Sequence, residues 1–344
     1  MNDNSAVDSG SSLTWFCKAR CLNHMAGVVA LVSLLLFGCV GERNISSPTP
    51  TSEAYHWSLL ELSPRATYLA DGEDNLFTLS KIVDGGSELL WQLHTELPIS
   101  SLVFLEGEKI VAIGMIDGSV ELWDTQEATQ IWHVPGCTPD AIVADMALVE
   151  NDILICASGS ADTGNFTLWD LQTQESIGFY RGHRFGIYDI SWSQAASLLA
   201  TSSISTNYIS LWDLQAGQEL VRLSLEEQLD GVTCLEFSPD GGFLASGFGT
   251  TMVVWDVETR APVYEYEGMG LGVHSLAWSP DSVWLAASSG DGKTILLNLG
   301  NREPNLVFES AGSVVSSLAF TSDGRDLVSA NQDGSITHWA VSQD

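Results

Sequence analysis

From about residue 55 onward the chain is a succession of short apolar or alternating runs, each cut off by Gly, Pro, Asp or Ser. The stretch from Val232 to Tyr266 shows the unit most plainly. Val232-Thr233-Cys234-Leu235-Glu236-Phe237 predicts one strand. Ser238-Pro239-Asp240-Gly241 predicts a turn, because Pro presets φ and Gly accepts a positive φ. Phe243 to Gly247, Thr251 to Trp255 and Val263 to Tyr266 predict three further strands. Equivalent turns stand at Ser63-Pro64, Ser279-Pro280-Asp281 and Ser322-Asp323-Gly324, and hairpin dipeptides at Asp117-Gly118, Asp291-Gly292 and Asp333-Gly334. No long amphipathic helical period follows residue 40, so the pattern predicts an all-β chain.

The unit recurs. Leu122-Trp123-Asp124, Leu168-Trp169-Asp170, Leu211-Trp212-Asp213 and Val254-Trp255-Asp256 carry one signature, and Ser80, Leu297 and Trp339 hold its place in altered copies. The intervals between these seven anchors are 43, 46, 43, 43, 42 and 42 residues, the mark of one supersecondary unit in array. The Trp-Asp signature resembles that of the WD-repeat family. That resemblance implies a seven-bladed β-propeller of four-stranded antiparallel blades over residues 55–344. It further implies that His183 of Gly182-His183 joins the signature Trp212 and a turn Asp in a hydrogen-bonded set. Ser205-Thr206-Asn207 carries no such Asp. The family also borrows the outer strand of its last blade from the N-terminus. The chain ends five residues after Trp339, so a donor is expected within residues 43–52, where Pro48 and Pro50 restrict it to a sheet edge.

Ahead of the repeats lies an uncharged run of 13 residues, Met25 to Phe37, preceded by Lys18, Arg20 and His24. A basic flank and a short apolar stretch predict a secretory signal, since a spanning helix needs about 20 apolar residues. Leu36-Phe37-Gly38-Cys39 resembles the bacterial lipobox, with Phe37 bulkier than usual there. The resemblance implies that Cys39 is lipidated and becomes the first residue of the mature chain. The alternative is an uncleaved anchor, the run reaching 17 residues if stretched to Gly41. Lys18 and Arg20 keep the N-terminus cytoplasmic under both readings and send the remainder outward. The expected organisation is a lipoprotein signal over 1–38, a Ser/Pro/Thr-rich tether over 39–54 and the propeller over 55–344. The propeller is expected on the non-cytoplasmic side, held to the cell membrane or outer membrane by lipid.

Charge narrows the function. The chain has 13 Lys and Arg against 44 Asp and Glu, a net charge of −31. That excludes nucleic acid, whose phosphates demand basic clusters, and docking on anionic lipid through basic patches. Solubility explains the excess acid more simply than an acidic ligand site. Cys137, Cys156 and Cys234 have no zinc-like spacing. Cys156 and Cys234 sit in strand-like runs and are expected as buried free thiols. His56, His94, His133, His183, His274 and His338 are scattered, and no nucleophile elbow, paired-His or phosphate-loop motif occurs. The cluster Asp71-Gly72-Glu73-Asp74-Asn75 lacks calcium-loop spacing and reads as a hairpin turn. Trp123, Trp169, Trp212, Trp255 and Trp339, with Asp124, Asp170, Asp213 and Asp256, are repeat positions, explained by blade packing. No catalytic residue, metal or cofactor is expected.

In WD-repeat proteins the loops leading into each blade's first strand line the partner face. Here Phe185, Leu229, Met269 and Leu271 are apolar in those loops, beside acidic Glu226, Glu227 and Asp230. An apolar centre with a charged rim suits a protein partner, though the same side chains fit as plugs of the channel mouth. The first reading is therefore a monomeric, membrane-tethered, non-catalytic interaction scaffold. A second is an envelope or barrel-assembly lipoprotein, because Trp91 and Trp132 resemble the outer-strand Trp of quinoprotein-type propellers. A third is a propeller enzyme, a lactonase or dehydrogenase, which needs convergent carboxylates or a stacking Trp at the channel mouth.

Overall fold

The structure is a computed structural model that describes residues 58–83, 86–138, 141–149, 152–160, 163–225, 230–300, 303–309 and 313–341. The runs fold as expected, into seven antiparallel sheets arranged as the blades of a propeller. The blades span Ser58–His94, Ile99–Val134, Val143–His183, Asp189–Leu223, Val232–Glu267, Val273–Glu309 and Val315–Ala340. In each, consecutive strands pair in chain order from the axis outward. Six blades show four strands and the seventh shows three among the described residues. The expected donor of its fourth, residues 43–52, lies outside them, as do the signal and the tether. The only helical turn among the described residues is the short 3-10 segment Glu106–Glu108.

All seven anchors fall in third strands, from Ser80 in Leu76–Val83 to Trp339 in Ile336–Ala340. In blades one to six the ladder to the outer strand slips by one residue at the anchor, as between Leu122 and Trp123, Leu211 and Trp212 or Val254 and Trp255. The bulge gives local twist, which lets a flat ladder become a blade.

No blade has a core of its own. Both faces of each sheet bury apolar side chains against the neighbouring sheets. Between blades four and five lie Leu211, Phe237, Phe248 and Trp255; between five and six, Met252, Met269, Trp278 and Leu297. The seam between blades seven and one is built from Leu62, Ala66, Leu69, Ala319, Val328 and Ala330, and among the described residues it alone contains no aromatic ring. It closes the circle with the least bulk.

The inner strands are also stitched across the seams by side chains at one repeated position. Asp145 Oδ2 accepts the Ile190 N–H of the next blade at 3.0 Å, and Asp189 Oδ2 accepts that of Leu235 at 2.8 Å. Ser275 Oγ accepts the Leu318 N–H at 3.1 Å, and Ser317 Oγ accepts the Leu62 N–H at 3.1 Å across the closing seam. Asp189 is buried, so its loss strands a buried amide. We expect Asp189→Ala to lower the unfolding free energy by about 1–3 kcal/mol, and Asp189→Asn, which keeps the acceptor, to cost less. Urea denaturation of the two variants measures this, and equal losses would contradict it.

Candidate interaction face

The signature Asp performs a local task. Asp124 Oδ1 accepts the N–H of Gln126 and Glu127, Asp170 Oδ1 those of Gln172 and Thr173, and Asp256 Oδ1 that of Thr259. Each carboxylate thus closes the turn between third and outer strands. Hydrogen bonds from Thr173 hold the Asp170 carboxyl below the usual carboxylate range, and those from Thr259 do the same for Asp256.

The signature Trp depends on what faces it from the second strand. In blade four the Trp212 Nε1–H donates to Thr201 Oγ1 at 3.1 Å. His183 Nε2 lies 3.0 Å from the same oxygen, and its Nδ1 lies 3.2 Å from Thr206 Oγ1. The implied His–Trp set therefore forms through Thr201, and the Thr206 hydroxyl stands where the family has its Asp. His183 is buried and stacks on Tyr208 at 5.0 Å, which in turn lies under the Arg222 guanidinium at 4.5 Å.

Other blades answer the same geometry differently. Strand register places Cys156 of blade three where blade four has Thr201, since Leu154 pairs with Trp169 as Leu199 pairs with Trp212. Gly136-Cys137 takes the place of Gly182-His183. Cys137 and Cys156 form a disulfide with a Cα–Cα distance of 5.9 Å, within the range for such a bond. This corrects the expectation of a free thiol at Cys156; Cys234 is the buried free cysteine. Among the described residues the Trp169 Nε1 then has no acceptor. In blade six Gly268-Met269 holds the His place, and Met269, Ala287 and Leu297 pack as an apolar trio within one core. Met269 is 2% exposed, so the expectation that it lies on a partner surface is corrected: it fills the socket of a structural His.

The lead-in loops share one side of the disc with the hairpins between second and third strands. Ile116 N–H bonds Pro98 O, Thr138 N–H bonds Gly118 O, Met269 N–H bonds Thr250 O and Gly290 N–H bonds Gly272 O. Phe185 and Leu271 are exposed on this side, at 36% and 49%. Arg184 lies over the Phe185 ring at 5.5 Å. Leu229, with Glu226 and Glu227, lies outside the described residues. Ile116, 43% exposed, joins Phe185 and Leu271 on this face. Its signal was an apolar residue directly before Asp117-Gly118, where the later hairpins have Gly290 and Gln332. Glu96, Asp117, Asp230, Asp291 and Asp333 are exposed in the same set of lead-in loops and hairpins.

The axis holds a cavity of about 330 Å³ lined by all seven inner strands, including Glu61, Asp189, Trp192, Glu236 and Trp278. Its Asp145 and Asp189 are engaged by the inter-blade amides described above. The Trp278 Nε1–H donates to Glu236 O at 3.0 Å. Trp91 is structural as well: its Nε1–H donates to Thr125 O of blade two at 2.9 Å, and its ring sits 6.1 Å from Trp123. Trp132 packs in the core between blades two and three. His338 is exposed on the third strand of blade seven. Asp74, with φ 51°, forms the hairpin turn expected at the acidic cluster.

Residues 174–213, 221–256, 260–297 and 302–340 match the family described as WD domain, G-beta repeat. Those four segments are similar to WD repeats. Each matched segment includes the outer strand, or part of it, of one blade and ends on the third strand of the next, so a sequence repeat straddles a seam. The chain is 30% identical over 181 residues to the WD repeat-containing protein SL1-17 of Schistosoma mansoni, covering 52% of this chain and 59% of that one. It is 25% identical to the protein transport protein SEC31 of Saccharomyces cerevisiae over 69% of this chain and 21% of that one. It is also 25% identical to the serine-threonine kinase receptor-associated protein of Dictyostelium discoideum, over 65% of this chain and 73% of that one. The chain thus spans only part of the length of several relatives. A chain in the crystal structure of the mitotic checkpoint complex superposes with a TM-score of 0.70 at 19% identity, over 88% of this chain and 97% of that chain, and shares the fold.

Burial pushes the His183 pKa down to about 4 from 6.5, the Thr201 carbonyl and the Glu219 charge opposing it and the Arg222 charge adding to it. The unfolded chain takes up this proton near pH 6.5 and the folded one only near pH 4. Stability from neutral His183 is thus complete above pH 6.5 and is lost as the pH falls towards 4, by about 3 kcal/mol in all. We expect unfolding free energy measured from pH 7 to pH 4 to fall more steeply for the wild type than for His183→Gln. Parallel curves would show that the imidazole is not titrating as buried.

Proposed function

We propose that this protein is an exported, lipid-anchored WD-repeat propeller that acts as a non-catalytic scaffold for a protein partner. The observation that carries the reading is that Ile116, Phe185 and Leu271 are exposed on the lead-in side of a ring whose every seam is packed, with exposed carboxylates in the same loops and hairpins. Exposed apolar anchors on a preformed frame lose little order on binding, and charge at the border favours encounter and selectivity. The name of the Dictyostelium relative, a receptor-associated protein, supports an association role.

Export and anchoring rest on Met25 to Phe37 and the lipobox-like Leu36-Phe37-Gly38-Cys39. The buried Cys137–Cys156 disulfide supports the same compartment, because such bonds persist outside the reducing cytosol.

Two measurements test the reading. Intact-mass analysis of membrane-extracted protein should find Cys39 as the first residue carrying lipid, and thiol alkylation of the denatured chain without reductant should leave Cys137 and Cys156 unlabelled. An uncleaved, unlipidated chain would overturn the lipid anchor, and two labelled cysteines would remove the disulfide's support for export. Crosslinking from the native membrane should capture a partner with the wild type, and the Phe185→Asp/Leu271→Asp variant should fold with an unchanged unfolding midpoint yet lose capture. Retained capture places the partner elsewhere on the disc.

A further inference from the structure

Among the described outer strands, that of blade three, Glu175–His183, combines an exposed aromatic with unpaired cations. It is one of the two longest strands, and it ends its sheet, so its outward backbone edge pairs with no described strand. Tyr180 turns towards blade four, where it stacks on Phe166 at 5.0 Å and meets Trp212 at 6.2 Å. Phe179 and Arg181 point to the other side, because side chains alternate along a strand. Phe179 is 55% exposed, and Ile177, the extra residue of the bulge opposite Leu168 and Trp169, is 52% exposed. Arg181 and Arg184 are exposed and neither forms an ion pair with a described residue. Arg222, by contrast, is held by Glu219 at 2.7 Å.

A lone Arg on a sheet edge is a common guard against unwanted strand pairing. A guard has no need of a half-exposed phenylalanine two residues away. In a chain with 44 acidic and 13 basic side chains, a local pair of unpaired cations is also the one kind of surface that favours an acidic partner. We propose that the edge of blade three binds an extended acidic segment of a partner protein, which adds as a fifth, antiparallel strand. Its main chain pairs with residues 178–183, an apolar side chain covers Phe179, and carboxylates two and four residues before it meet Arg181 and Arg184. The cations repel basic segments and leave acidic ones, so the guard becomes the selector. This surface meets the Phe185 and Leu271 face at Arg184, but it does not rest on that reading and stands if that reading fails.

The test uses the full chain and the labelled heptapeptide Glu-Thr-Glu-Thr-Val-Thr-Val, with fluorescence anisotropy as readout. We expect saturable binding that weakens at least tenfold in Arg181→Glu and in Phe179→Thr, and at least tenfold when the threonine amides of the peptide are N-methylated. The counterpart Lys-Thr-Lys-Thr-Val-Thr-Val should bind Arg181→Glu better than it binds the wild type, a gain that misfolding cannot produce. Equal affinity of the wild type for both peptides overturns the proposal, as does binding indifferent to both substitutions. Concentration-dependent dimers that Phe179→Thr abolishes would assign the edge to a second copy of the chain and overturn it likewise.

Discussion

Burial between blades is the interaction on which everything else in this molecule depends. A four-stranded sheet with two apolar faces has no stable existence alone in water, because each face exposes what the fold must hide. Here every face is hidden by the next blade, and the ring has no blade that can be removed without uncovering two others. The offset between sequence repeat and blade, with each repeat supplying an outer strand to one blade and three strands to the next, turns that dependence into chain connectivity. Among the described residues, the seam between blades seven and one has no covalent continuity of this kind and is the seam without an aromatic ring.

The stitching of the inner strands shows what polar groups contribute once burial has set the distances. The hydrogen bonds from the amides of Ile190 and Leu235 to Asp145 and Asp189 satisfy donors that no ladder reaches. Asp145 and Asp189, two of the carboxylates that line the axial cavity, are therefore already occupied in holding the blades in register. This is why the axis reads as a joint of the fold, while exposed side chains with no structural duty gather on the lead-in loops and on the edge of blade three.

The architecture was legible in the sequence because its anchors are aromatic and periodic: Trp123, Trp169, Trp212, Trp255 and Trp339 pack at fixed places in third strands. The turns were legible too, since Ser238 and Asp240 bond each other and close the loop with the N–H groups of Gly242 and Phe243. The lead-in loops were harder. Met269 looks like an exposed loop residue in isolation and becomes a core residue only when Gly268-Met269 is set beside Gly182-His183. The same comparison brings Cys137 and Cys156 together, at the places of His183 and Thr201. Periodicity places strands, but what fills a socket depends on two residues far apart in the chain. Leu229 and Cys39 lie outside the described residues, and nothing in the fold bears on them.

Three seams thus solve one geometric problem by three kinds of bond: an imidazole and hydroxyl in blade four, a disulfide in blade three, and a methionine among aliphatic carbons in blade six. Each answers to a different condition. Acid attacks the first by charging the imidazole, a reductant attacks the second, and cooling weakens the third as the hydrophobic contribution fades. A ring of identical seams gives way everywhere at once under a single stress. This one is a mixed chain of fuses, in which the surroundings choose the blade that opens.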